Sequence, residues 1–232
     1  MLYGAAAVRA QAWEVLTPEL RIDREAGVVE FDAEVVFERR EVRGEDGELL
    51  YVFGDWLELV VCGRNTREHE SLLATGVRAS ELHASLLLLG LEPGRPATLV
   101  RDESVAGGWR VDPPTGPEIA VTIAVGNQAE VTAGSWVKNK ETGEDFAEAT
   151  WLFTGSKQVE VPAEEGRGGW HYLADLSGSL ITLVNFRDDL MALPTTLTSG
   201  DDGQVLGGVS ERIPATGTAV RVRLRAAEDV AE

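Results

Sequence analysis

The segment REHESLLATGVRASELHASLLLLG, residues 67–90, decides how this chain is read. Its first half carries polar residues, then a short apolar run, then Gly76, which suits a strand and a turn. Its second half places Ser80 where a helix N-cap belongs and Glu81 in the first turn. An apolar body follows, then Gly90 and Pro93 where a helix would stop. This predicts one helix at about residues 80–90, and its near-continuous leucines predict that a sheet covers most of its girth. His69 and His83, two of the chain's three histidines, lie here, the first between Glu68 and Glu70.

Outward from this segment the chain reads as short strands punctuated by Gly, Pro, Asn and Asp. LRIDREAGVVEFDAEVVFE, residues 20–38, alternates apolar and polar around Glu25-Ala26-Gly27 and predicts a hairpin. GEDGEL at 44–49 and Gly63-Arg64-Asn65-Thr66 predict further turns, where Gly and Asn tolerate positive φ. Residues 92–117 are rich in Pro and Gly and make the best lobe boundary. Strands resume at EIAVTIAVG, AGSWVKN, EATWLFTGS, HYLADLSG, SLITLVNF and GTAVRVRLRA. The fold class expected is α+β: mostly antiparallel sheets with one main buried helix. The expected organisation is an arm or signal remnant over 1–17 and one domain over 18–225, in one unit or two lobes at 18–96 and 115–225. An acidic tail occupies 226–232.

Composition narrows the function. The 232 residues are 44% hydrophobic, enough for a real core, but 39 acidic against 21 basic side chains leave a formal charge of -18. Such a surface repels nucleic acid and anionic lipid, so no nucleic-acid partner is expected. One cysteine, Cys62, cannot build a disulfide framework or an iron–sulfur cluster, and its place at the end of WLELVVC predicts a buried free thiol. No apolar run reaches the ~20 residues of a membrane-spanning helix. Ala10-Gln11-Ala12 has the A-x-A form of a signal-peptidase site. A periplasmic or cell-envelope location is therefore expected, with a cytoplasmic one as the alternative.

Read as a regular strand, residues 67–74 put Glu68 and Glu70 on one face and His69 on the other. His83, in the first turn of the helix, is disfavoured as imidazolium by burial and by the positive helix terminus. A neutral imidazole there suits a divalent metal, a base or a hydrogen-bonding cluster with Glu68, Glu70 or His69. These alternatives stay open, because no spacing motif such as HExxH is present. The metal set, if there is one, is Glu68, His69, Glu70 and His83, with zinc or iron as candidate ions. His171 stands between aromatics and reads as packing. Asp175 and Ser177 read as turn builders. Ser156 follows Gly155 without the strand–turn–helix context of a nucleophile elbow. Trp136, Trp151 and Trp170 are either core between sheets or a stacking ledge.

The run from Leu57 to Pro96, with its EHE element and LLLLGLEPGRP, resembles the YdjY-domain family of bacteria, abundant in planctomycete genomes. VDPPTGPEIAVTI, WLFTGS, YLADLSGSLITLVNF and RIPATGTAV follow in the family's order, so the likeness covers roughly residues 18–225. The resemblance implies no particular reaction. It implies export or lipoprotein signals among members and, through a ferredoxin-like or metal-binding namesake, a metal at Glu68, His69, Glu70 and His83. His171 lies outside that pattern.

Two functions are then expected. One is a non-enzymatic envelope module that binds an unknown protein or small molecule, with or without one divalent metal at the EHE/helix cluster. The other is a metal-dependent hydrolase or redox enzyme using His69, His83 and a glutamate.

Overall fold

The computed structural model describes residues 12–53, 56–105, 107–162, 168–199 and 205–227. Most of the expected signal remnant and acidic tail fall outside these residues. The chain opens with an antiparallel meander of β1 (Glu14–Thr17), β2 (Leu20–Asp23) and β3 (Val28–Val35). The turn before β3 is built by Asp23, whose carboxylate accepts the N–H groups of Glu25 and Ala26, with Gly27 at φ 63°. β4 (Arg40–Arg43) and β5 (Leu49–Phe53) form a hairpin. β6 (Leu59–Gly63) and β7 (Ser71–Thr75) are parallel neighbours, and α1 (Ala79–Leu88) follows.

The hairpin of β8 (Thr98–Arg101) and β9 (Trp109–Asp112) occupies the Pro/Gly-rich connection. Next come β10 (Glu118–Val125), β11 (Val131–Thr132), β12 (Val137–Asn139) and β13 (Trp151–Phe153). β14 (Gln158–Val161) and β15 (Gly169–Tyr172) make another hairpin, which leads into α2 (Leu173–Ser177). β16 (Ser179–Thr182), β17 (Met191–Ala192), β18 (Leu206–Gly208) and β19 (Ala219–Ala226) complete the chain.

Eight strands close on themselves in the order β3–β19–β10–β13–β17–β16–β6–β7, with β7 pairing back onto β3. Period-two alternation explains the closure. Val220, Val222 and Leu224 of β19 and Ile119, Val121 and Ile123 of β10 point into one core with Phe31, Trp151 and Phe153, while Arg221, Arg223 and Arg225 point out. Trp151 satisfies its indole N–H on the Thr182 carbonyl at 2.9 Å. The core spans the whole barrel, so the lumen is filled by side chains. Strands from before the 92–117 connection (β3, β6, β7) and from after it share this barrel.

Among the described residues the protein is therefore mostly β, 42% strand against 11% helix, with two helices, and not the α+β fold with a main buried helix that the sequence suggests. α1 lies across one barrel end. Three residues link it to β7, Ser80 bonds it to Asp175 of α2, and its Leu88 carbonyl accepts from Arg24 of the β2–β3 turn at 3.2 Å. Only one face is covered: Ala79, Leu82, Ser85 and Leu86 are buried, while Leu87 and Leu88 are 47% and 45% exposed. A helix laid over the mouth of a barrel buries one stripe, whereas the leucine run predicts cover over most of the girth. Arg78, not Ser80, is the N-cap, and its N–H is met by Glu81 at 2.9 Å. The expected stop is in place. Gly90 (φ 83°) donates to Leu87 and Leu91 to Leu86, a Schellman closure.

Two expected strands are something else. Glu68–Glu70 is a 3-10 turn, and HYLADLSG holds the end of β15 followed by α2.

Candidate functional site

The 64–70 connection returns the chain along the barrel so that β6 and β7 can run parallel. Asn65 turns it with φ 62°, and the Glu68 carboxylate accepts the Asn65 N–H. Glu70 pairs with Arg67 at 2.8 Å, and the Arg67 guanidinium lies 4.1 Å over the Phe186 ring. The ring of His69 is 65% exposed, with Nε2 3.6 Å from Glu70. On a tight turn these three residues do not alternate as strand residues would. A cation here would find one imidazole beside a carboxylate already neutralised by Arg67.

His83 is elsewhere. The 68–70 turn precedes β7 and α1 follows it, so five extended residues, about 16 Å, separate the two. The Nδ1 of His83 lies 2.7 Å from the Tyr172 hydroxyl, which donates to the Gly155 carbonyl at 2.8 Å. With the tyrosine proton on Gly155, the His83 tautomer that completes this chain of bonds carries its hydrogen on Nδ1. Phe153 meets the imidazole edge-on at 5.1 Å between ring centres. Burial pushes the His83 pKa down, against a raising contact with the Gly155 backbone, as expected of a half-buried imidazole. Burial, with Asp175 nearby, pushes the Tyr172 hydroxyl up.

Asp175 accepts the Ser80 N–H at 2.8 Å and its hydroxyl at 2.6 Å, so this expected turn builder fastens α2 to the start of α1. His171 takes the opposite face of β15 from Tyr172. The structure thus brings His69 and Glu70 together and sets His83 apart from them. Among the described residues no three His, Cys, Asp or Glu side chains converge as metal ligands.

Ser156 has φ 46°, donates to the Asp188 carbonyl at 2.5 Å and accepts the Ala174 N–H at 3.2 Å, which leaves its hydroxyl committed to structure. Cys62 is a buried free thiol whose pKa burial raises. Trp136 and Trp151 belong to the core, while Trp170 is 70% exposed.

Sequence reasoning missed a cleft of about 430 Å³ on the outer barrel wall, lined by Asp32, Glu34, Arg64, Asn127 and Arg221 around Ala33, Ala124, Gly126, Ala219 and Val220. Register makes it. Across β3, β19 and β10, Glu30, Arg223 and Thr122 form one outward row, and Asp32, Arg221 and Ala124 form the next. Glu34 then faces Ala219. The first row is crowded and paired. Arg223 bridges Glu30 and Glu130, and Arg225 meets Glu130 at 3.0 Å. Glu130, although partly desolvated, is held at about 2 by Arg225, Thr122 and Arg223. The next rows carry alanines where the first carries long side chains, and a hollow results. Arg221 turns to the Gly126 carbonyl at 2.6 Å, and Arg64 contacts Glu19 at 3.4 Å. Among the described residues, the exposed carboxylates of Asp32 and Glu34 have no hydrogen-bond or ion-pair partner.

With this geometry in view, the YdjY-domain family profile matches residues 20–225, and the chain belongs to that family. No curated protein and no solved structure matches the chain.

Proposed function

We propose that this YdjY-domain chain is a non-enzymatic binding module that takes a small charged solute in the outer-wall cleft over β3, β19 and β10. One observation carries the reading. The lumen is filled, and the cleft is a hollow of ligand size whose rim holds guanidinium groups and two carboxylates without partners. His83 is assigned a structural part, because its Nδ1 is spent on fastening α1 to Tyr172. Export to the cell envelope belongs to the same proposal and rests on the A-x-A form of residues 10–12. Fractionation of the native host that recovers the protein only with cytosolic markers removes that clause.

The binding reading is tested by titrating ¹⁵N-labelled protein with a library of small amines, carboxylates, amino acids and sugars. Saturable shifts are expected at the amides of Ala33, Ala124, Gly126, Asn127 and Ala219. A library that leaves all five unmoved refutes the proposal.

A further inference from the structure

We infer that the solute is a zwitterion of the amino-acid or dipeptide class, its ammonium held by Asp32 and Glu34 and its carboxylate by Arg64 and Arg221. This rests on the proposed function of the cleft. Asp32 and Glu34 lie two residues apart on one face of β3, so their Cα atoms stand about 7 Å apart along one wall. Arg221 sits directly across from Asp32 on β19, and Arg64 closes the β7 side.

The existing contacts of the arginines are partial. A guanidinium has five N–H donors, and the Gly126 carbonyl takes one of Arg221's, while Glu19 touches Arg64 only at 3.4 Å. Donors therefore remain on both for a bidentate carboxylate. A simple cation would satisfy the carboxylates and meet two guanidinium groups, and a simple anion would do the reverse. A ligand with both charges leaves neither wall opposed. The alanine floor between them offers apolar contact to the short carbon linker of an amino acid or dipeptide and little room for a large side chain.

The chain's charge of -18 does not choose the ligand, but it penalises a free anion and so adds to the case for a compensating ammonium. The neighbouring row shows what this surface does when charges are meant for each other. Glu30, Arg223, Glu130 and Arg225 are paired within the protein, one strand-row from carboxylates that are not.

The experiment uses the full chain and three probes: Ala-Ala, N-acetyl-Ala-Ala, which lacks the ammonium, and Ala-Ala-amide, which lacks the carboxylate. Ala-Ala is expected to shift the five cleft amides saturably, and each blocked peptide to bind about ten-fold more weakly, the loss typical of one charge-assisted hydrogen bond. D32N/E34Q should weaken Ala-Ala by at least as much while leaving the spectrum of the fold unchanged. Because both positions are exposed, a collapsed spectrum is not expected. Should it occur, R221Q supplies the same test from the opposite wall. A blocked peptide that binds as tightly as Ala-Ala overturns the zwitterion and leaves the binding module standing. Cleft shifts with amines, carboxylates or sugars of the library but none with Ala-Ala or any free amino acid do the same. Silence from every probe and every library member overturns both.

Discussion

Replacing Asp189 by Asn should make stability less dependent on pH and raise it at neutrality. Asp189 has no exposed surface, and its carboxylate accepts the N–H groups of Phe186 at 3.2 Å and Arg187 at 3.0 Å. Burial, with Asp188 alongside, pushes its pKa from the ordinary 3.8 up to about 6, against the lowering effect of those donors. The folded state thus binds this proton more tightly than the unfolded chain does. Its stabilising share is complete below pH 3.8 and is lost as pH rises through 6. At 1.36 kcal/mol per pKa unit the loss comes to about 3 kcal/mol at pH 7, with no discount for solvent because the group is buried. Asn stays neutral throughout and forfeits one acceptor, about 1 kcal/mol. D189N should therefore be about 0.5 kcal/mol less stable than the parent at pH 4 and about 2 kcal/mol more stable at pH 7. Urea unfolding at pH 4, 5, 6 and 7.5 with matched m-values measures this, and subtracting the two profiles cancels every other titrating group. If the difference stays flat or changes in the opposite direction, the N–H donors outweigh burial and the reasoning is wrong.

Glu130 is held at about 2, so its contribution is present above pH 4.5 and lost as pH falls through 2; E130Q should flatten acid denaturation in that window, read by circular dichroism. Tyr172→Phe removes the hydroxyl between His83 and Gly155 and should cost about 1–2 kcal/mol in urea unfolding while leaving the cleft amides where they are. Cys62, buried and with a raised pKa, should resist iodoacetamide at pH 8 in the native protein and react fully in urea, as mass spectrometry would show.

What the sequence made legible was local. The Asp23–Gly27 turn, the left-handed Asn65, the helix stop at Gly90 and the alternation of β10 and β19 follow from residues within a few positions of each other. What it hid depends on partners far away. Four leucines standing together predict that most of the girth of α1 is covered, yet which of them face water is decided by distant neighbours, β3, α2 and the β2–β3 turn. His83 was placed with the 68–70 glutamates, its near neighbours in sequence, while its actual partner Tyr172 lies 89 residues on. The candidate metal set needs α1 to pack back onto the face of residues 68–70. A five-residue strand between them was enough to part them. The cleft left no local signature at all. Asp32 and Glu34 read as the polar side of an ordinary strand until Arg221 and Ala219 are set opposite them.

The position of that cleft follows from how the barrel closes. One edge of β3 serves two partners, β2 along residues 28–31 and β7 at 34–35, so the two strands diverge where the edge changes hands. At the changeover the Asp32 N–H bonds the Glu19 carbonyl on the β2 side, and the Asp32 carbonyl accepts the Thr75 hydroxyl on the β7 side. Arg64, the residue after β6, is bonded through its N–H to the Thr75 carbonyl of β7, and Glu19 directly precedes β2. Gly76 leaves room for the pair, since a Cβ there would stand 2.4 Å from Glu19 Oε2 and 3.0 Å from Arg64 Nη1. A fork in strand pairing thus sets charged side chains from β3, β19 and two flanking loops around a gap. Open α/β sheets put their ligands at changes of strand order for a like reason, although that parallel is one of geometry alone. In a barrel whose lumen is packed, such a fork is where the wall itself can make a site.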